Sequence, residues 1–274
     1  MNVFVRLIVS MFFFIASPLV VNATEVAINE LLRAVGMTET LQIMRAEGLE
    51  YGETLGKDML GANVNATWSE DVSKLYDPQT MADIVRRGFA TAFGDTDTKD
   101  LLEFFNSSLG RQIVALELGA RRAMDDDTVE AAAREVYLKT FGTDDPKLKL
   151  VEDYIITNDL IEFNVIGALQ ANLMFFRGLG QGKALEMAED EMTSEVWAQE
   201  TDIRHETQEW LYSYLLMAFQ PLSIDQLSAY LDLSKTPEGQ ILNKALFAGY
   251  DAMYSDVSFG LGLAMARQMN SQDL

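Results

Sequence analysis

Apolar residues recur along this chain at intervals of three and four, which is the spacing of one face of an α-helix. In the first half this pattern is carried by Met81, Ile84, Val85, Phe89, Ala92 and Phe93. In the second half it is carried by Trp210, Leu211, Tyr214, Leu215, Ala218 and Phe219. No segment shows the sustained two-residue alternation of a half-buried strand. The pattern therefore predicts an all-α fold.

Three prolines mark predicted helix starts. Asp77-Pro78, Asp145-Pro146 and Thr236-Pro237 each pair a side chain that can cap a helix with a proline at the first helical position. Proline is tolerated there because its missing N–H would have no partner inside the helix. We therefore expect three helices to begin at these prolines.

The two halves of the chain resemble each other. Residues 81–124 can be aligned with residues 207–253, with three residues added in the second stretch. Ala92-Phe93 then matches Ala218-Phe219, and Met124 matches Met253. A duplication is the simplest explanation, and chance similarity between amphipathic helices is the alternative. The sequence thus predicts two helical-bundle repeats, 24–145 and 146–274.

A corner between two helices is the best local signature of the aligned stretches. Each copy has a helix end with aromatic residues, a capping hydroxyl and a glycine early in the next helix. The residues are Phe104, Phe105, Ser107 and Gly110 in the first copy, and Tyr230, Thr236, Pro237 and Gly239 in the second. We expect the hydroxyl to cap the new helix, the glycine to permit close approach of the two backbones, and the aromatic rings to fill the corner.

This signature resembles the bacterial exported proteins that carry domain of unknown function 2059. In that family an aromatic pair is followed by Ser/Thr-Pro-x-Gly and a long helix. The first copy departs from the family pattern because Ser108 stands where proline is usual. The resemblance implies tandem copies of a helical exported domain with no settled activity, and it implies no catalytic residues.

The amino terminus has the pattern of a secretory signal peptide. Arg6 precedes an apolar run from Leu7 to Val21. The run is followed by Asn22 and by the small residue Ala23, after which the chain becomes polar. We expect cleavage after Ala23, so that residues 1–23 are removed and a periplasmic or secreted chain begins at Thr24. An uncleaved membrane anchor is the alternative. Later apolar stretches, such as 211–219, are too short to span a bilayer.

Charge and cysteine content narrow the possible functions. The chain has 21 Lys and Arg against 42 Asp and Glu, which gives a formal net charge of −21, and it has no cysteine. Nucleic acids and anionic lipids are bound by clustered cations, so this charge opposes both as partners. The lack of cysteine excludes thiol catalysis and thiolate metal sites.

The single histidine marks the weak candidate for metal chemistry. Asp202, His205, Glu206 and Glu209 lie near one face of a predicted helix, with a spacing used by carboxylate–histidine metal sites in helical bundles. A solvated acidic helix is the alternative interpretation and the one that we favour. No cofactor is expected.

These observations favour a non-enzymatic binding or protein-interaction module. Its partner would be an envelope protein, a peptide or an apolar ligand held in a groove between helices. A metal-dependent hydrolase built around His205 is the alternative. A third hypothesis is association with the envelope through the amphipathic segment 259–269.

Overall fold

The computed structural model describes residues 18–272, and the side chains of residues 25–271. This part of the chain contains helices and no strand, so the predicted all-α fold is confirmed. The predicted signal peptide lies outside the described residues over 1–17, and the expected cleavage point after Ala23 falls in the backbone of the first helix.

Thirteen α-helices and one short 3-10 helix make up the described chain. The first seven are α1 (Pro18–Ala34), α2 (Met37–Leu60), α3 (Ala66–Leu75), α4 (Pro78–Phe93), α5 (Lys99–Phe105), α6 (Ser108–Ala123) and α7 (Asp127–Thr140), with the 3-10 turn Gly61–Asn63 after α2. The others are α8 (Pro146–Thr157), α9 (Leu160–Gln181), α10 (Glu189–Trp197), α11 (Glu200–Phe219), α12 (Ile224–Lys235) and α13 (Pro237–Gln272).

The predicted proline starts of α4, α8 and α13 are confirmed. The Asp77 carboxylate accepts a hydrogen bond from the backbone N–H of Thr80 at 2.9 Å. The Asp145 carboxylate accepts one from the N–H of Leu148 at 2.9 Å. These bonds satisfy donors that have no partner inside the helix, and they fix where each helix begins.

Helix α13 is the central helix of the fold. Its 36 residues span about 54 Å, and it packs mainly against α9 and α4, with further contacts to α3, α12 and α2. Because both α4 and α9 lie along it, α13 joins the first half of the chain to the second.

Glycines let α4 and α9 approach α13 closely. Gly88 of α4 faces Gly249 of α13, and a Cβ added to Gly249 would lie only 2.7 Å from the Val85 carbonyl oxygen. Gly178 of α9 faces Gly262 of α13, where an added Cβ on either glycine would overlap the opposite backbone. The absence of a side chain at these four positions allows the helix backbones to touch.

The hydrophobic core is shared between the two halves. One cluster joins Phe89 and Phe93 of α4 to Phe219 of α11 and Leu227 of α12. A second cluster joins side chains of α2, α3 and α4 to side chains of α9 and α13. A third, small cluster around Val165, Leu169 and Val196 lies within the second half. The two large clusters thus combine both halves, and the division at residue 145 stays a prediction.

The two helix corners have the same geometry. Ser107 Oγ accepts a hydrogen bond from the Gly110 N–H at 3.0 Å, and Thr236 Oγ1 accepts one from the Gly239 N–H at 3.0 Å. A Cβ added to either glycine would overlap the carbonyl oxygen six residues earlier, which belongs to Phe104 or Leu233. In the second corner Leu233, and not Tyr230, therefore has the position that Phe104 has in the first corner.

The aromatic residues join the two corners to each other. The rings of Phe104 and Tyr230 stack with centroids 5.9 Å apart, and Phe105 meets Tyr230 edge-on at 6.4 Å. Such ring pairs add about 0.5–1.5 kcal/mol beyond the apolar area that they bury. The corner residues therefore belong to the architecture of the shared core.

A pair of substitutions in α6 tests the close approach at the corner. Gly110→Ala should lower the free energy of unfolding by about 2 kcal/mol, because the new methyl group must displace backbone atoms of α5. Gly119→Ala should raise it by about 0.5–1 kcal/mol, because Gly119 is an exposed helical residue with no neighbour to displace. Urea denaturation measures both. Equal effects of the two substitutions would contradict the close approach at Gly110.

Candidate functional site

The candidate site is a cavity of about 650 Å³ between α2, α9 and α13. Side chains of α6 and α11, and Tyr76 after α3, complete its wall. Eight aromatic residues line it: Tyr51, Tyr76, Phe163, Phe175, Trp210, Phe247, Tyr250 and Tyr254. Ligand sites in proteins have this size range and are typically lined by apolar and aromatic groups with a few polar ones.

Glycines on α2 shape the side of the cavity next to α3. Gly48, Gly52 and Gly56 are spaced by one helical turn, and the side chains of Tyr76, Val72 and Trp68 pack onto them in that order. The indole N–H of Trp68 donates a hydrogen bond to the Gly52 carbonyl oxygen at 2.8 Å. This contact fixes α3 against α2 and holds the Tyr76 ring at the cavity wall.

An ion pair closes one part of the wall. Arg121 of α6 donates two hydrogen bonds to the Glu47 carboxylate of α2, from Nε to Oε1 at 3.0 Å and from Nη2 to Oε2 at 2.8 Å. Burial alone would lower the pKa of Arg121, but the hydrogen bonds and charge of Glu47 raise it overall. The two charges therefore neutralise each other in a bidentate pair.

Asp251 is the other acidic side chain in the wall. It lies on α13 opposite Gly167 of α9, where an added Cβ would come within 2.8 Å of its Oδ1 atom. No described residue gives it an ion pair or a hydrogen bond, and burial raises the pKa of Asp251 from 3.8 to about 6. The carboxylate has thus lost part of its hydration without gaining a protein partner.

Two amides add polar groups to the wall of α9. Asn164 donates through Nδ2 to the Leu160 carbonyl oxygen at 2.7 Å, and Asn172 donates through Nδ2 to Gln199 Oε1 at 3.3 Å. Both amide nitrogens are therefore engaged within the protein. Each amide nitrogen uses one of its two N–H groups in this way.

The four predicted metal-site candidates lie elsewhere, on the side of α11 that meets α7. Glu206 and Glu209 both pair with Arg134 of α7, and Arg134 Nη1 lies 3.1 Å from Glu209 Oε2. The His205 side chain is 75% exposed, with Nε2 3.6 Å from Glu209 Oε1, and Asp202 is exposed. Within residues 25–271, no three His, Asp or Glu side chains are placed to hold a metal ion. The two glutamates serve as a link between helices.

The predicted corner residues border a different and much smaller cavity of about 100 Å³. Tyr230 lines it together with Glu117 and Tyr154, and the Tyr154 hydroxyl donates to the Tyr230 hydroxyl at 3.0 Å. Burial raises the pKa of Glu117 to about 7. A space of this volume suits a few water molecules rather than an organic ligand.

A change at Asp251 tests the cost of its burial. Asp251→Asn should raise the free energy of unfolding at pH 8 by about 1 kcal/mol, because it removes a charge that burial has partly separated from water and that the remaining solvent still screens. The raised pKa means that the folded protein binds this proton before the unfolded chain does. The difference in free energy of unfolding between Asp251→Asn and the wild type should therefore shrink as the pH falls through about 6 towards 4.

Urea denaturation at several pH values measures this difference. The other ionisable side chains in the cavity wall are Glu47, Arg121, Tyr51, Tyr76, Tyr250 and Tyr254. Asp256→Asn is the matched control, because Asp256 is exposed on the same helix. An Asp251→Asn protein that is less stable than the wild type at pH 8 would contradict the account of Asp251.

Comparison with known proteins gives one match. Residues 79–145 match the sequence profile of the family described as "Uncharacterized protein conserved in bacteria (DUF2059)". No curated protein and no solved structure matches the chain. The matched region covers the first corner, and a second copy in residues 146–274 stays a prediction. Over residues 79–145, this chain is therefore similar to a family of uncharacterised bacterial proteins that carry domain of unknown function 2059.

Proposed function

We propose that this protein is a non-enzymatic binding module whose cavity between α2, α9 and α13 holds a small, largely apolar ligand. The observation that carries the proposal is the cavity itself, with about 650 Å³ of space and eight aromatic side chains in its wall. Protein interiors are close-packed, and voids much larger than a water molecule are few. A space of this size lined by rings is what a ligand site requires.

The chemistry of the wall supports binding more than catalysis. Arg121 and Glu47 are held in a bidentate pair, so neither is poised to exchange a proton with a ligand. No base or nucleophile among the described residues is hydrogen-bonded to Asp251. Of the residues of the alternative metal-dependent hydrolase, Glu206 and Glu209 pair with Arg134 of α7, and Asp202 and His205 are exposed.

We place this activity in the bacterial envelope, with the protein periplasmic or secreted. The signal-like pattern before Ala23 supports export. Among residues 18–272 no helix has the length and hydrophobicity that crossing a membrane requires. An envelope protein or a peptide is the alternative partner, whereas the acidic charge argues against nucleic acid.

Filling the cavity should weaken the binding of a neutral probe. N-phenyl-1-naphthylamine is an uncharged fluorophore whose emission rises in apolar surroundings, and we expect the wild-type protein to bind it. Ala171 lies in the cavity wall on α9, so Ala171→Trp should weaken this binding at least about tenfold by occupying the space. Fluorescence titration measures the dissociation constants.

The matched control is Ala132→Trp on the exposed face of α7. It adds the same side chain outside the cavity and should leave the affinity for the probe unchanged. Urea midpoints of both variants check that each is folded. Equal affinities of the two variants would show that the fluorophore binds elsewhere, which would remove the main support for the proposal.

Export predicts a defined mature terminus. Intact mass spectrometry of the protein from the periplasmic fraction should give a chain that begins at Thr24. Ala23→Arg should block processing and leave the longer chain attached to the membrane fraction, because signal peptidases require a small residue before the cleaved bond. An unprocessed wild-type chain in the cytoplasm would refute the envelope location.

A further inference from the structure

We propose that the ligand of this cavity is an organic cation, in which an amine or quaternary ammonium group lies beside Asp251 and an apolar or aromatic body fills the remaining space. This inference rests on the proposed binding function and adds the chemical class of the ligand. It follows from the unpaired carboxylate, from the aromatic side chains that line the same cavity and from the pairing of the one cation in the described wall with Glu47.

The carboxylate of Asp251 lies in the cavity wall and has no partner among the described residues. Gly167 stands opposite it, and any larger residue at 167 would press on Oδ1. No described cation or hydrogen-bond donor reaches the carboxylate. A charge removed from water in this way is costly unless it is paired. A ligand cation would supply the missing partner.

Aromatic side chains flank Asp251 on the same face of α13. Phe247 lies four residues before Asp251 and Tyr254 three residues after it, so both share its face of α13 and line the cavity. Phe163 of α9 stacks on Phe247 with centroids 4.7 Å apart and an interplanar angle of 19°. Ring faces attract cations through their quadrupole, and this attraction grows when the cation is desolvated.

An anionic ligand would find no unpaired cation in the described wall of the cavity. Arg121 is the cationic side chain of the wall, and its Nε and Nη2 donors are already directed at Glu47. The amide nitrogens of Asn164 and Asn172 are engaged within the protein. The formal net charge of −21 also favours the approach of cations and opposes that of anions.

Competition between two probes of similar size and opposite charge tests the inference. Benzyltrimethylammonium and 4-phenylbutyrate are each titrated at pH 8 against bound N-phenyl-1-naphthylamine. We expect the cation to displace the fluorophore at a concentration at least about tenfold lower than the anion. In Asp251→Asn this preference should disappear, while the neutral fluorophore still binds and reports an intact cavity.

The control Asp256→Asn removes the same charge from the exposed face of α13 and should keep the wild-type preference. Equal displacement by the two probes, or a preference for the cation that survives in Asp251→Asn, would overturn the inference while leaving the proposed cavity function standing.

Direct calorimetry with benzyltrimethylammonium covers the case in which the neutral fluorophore does not bind. A heat of binding to the wild type that is lost in Asp251→Asn would support the cation site even though the proposed affinity for neutral apolar ligands fails. The absence of any heat of binding to the wild type would overturn the inference.

Discussion

The fold depends on the close contact of α13 with two other helices. At Gly88 and Gly249, and at Gly178 and Gly262, no side chain separates the helix backbones. The pairs Phe163–Phe247, Gly167–Asp251 and Gly178–Gly262 have the same separation along the chain, so α9 and α13 run parallel. Glycine brings the two helices together at one end, and the stacked phenylalanines fill the space between them at the other. The cavity lies beside the contact between α9 and α13, and α2 forms another part of its wall.

The cavity is also where the chain departs from what stability alone would favour. Elsewhere the corners are capped, the core rings are stacked, and no fully buried side-chain nitrogen or oxygen among the described residues lacks a hydrogen-bond partner. Asp251 lies in an aromatic-lined wall without such a partner, and burial raises its pKa. Natural proteins tolerate local conflicts of this kind mainly at functional sites. This is the physical reason for assigning function to the cavity.

The helices and their first residues could be predicted from the sequence, because both depend on residues that are close together in the chain. The periodic apolar positions, the Asp-Pro and Thr-Pro pairs and the capping hydroxyls at Ser107 and Thr236 are all local signals. The cavity could not be predicted in this way, since its wall combines α2, α6, α9, α11 and α13. The spacing of Gly48, Gly52 and Gly56 was a usable sign of a close helix contact on α2. The pairing of Glu206 and Glu209 with Arg134 could not be predicted from the pattern around His205, because Arg134 lies far away in the sequence.

A crystal structure of the protein with bound benzyltrimethylammonium tests the central claim most directly. The account predicts that the probe lies between α2, α9 and α13, with its ammonium group beside the Asp251 carboxylate and within about 6 Å of the centre of a cavity ring. Binding only on the acidic outer surface, or a cavity filled by rearranged side chains of the protein itself, would contradict the account.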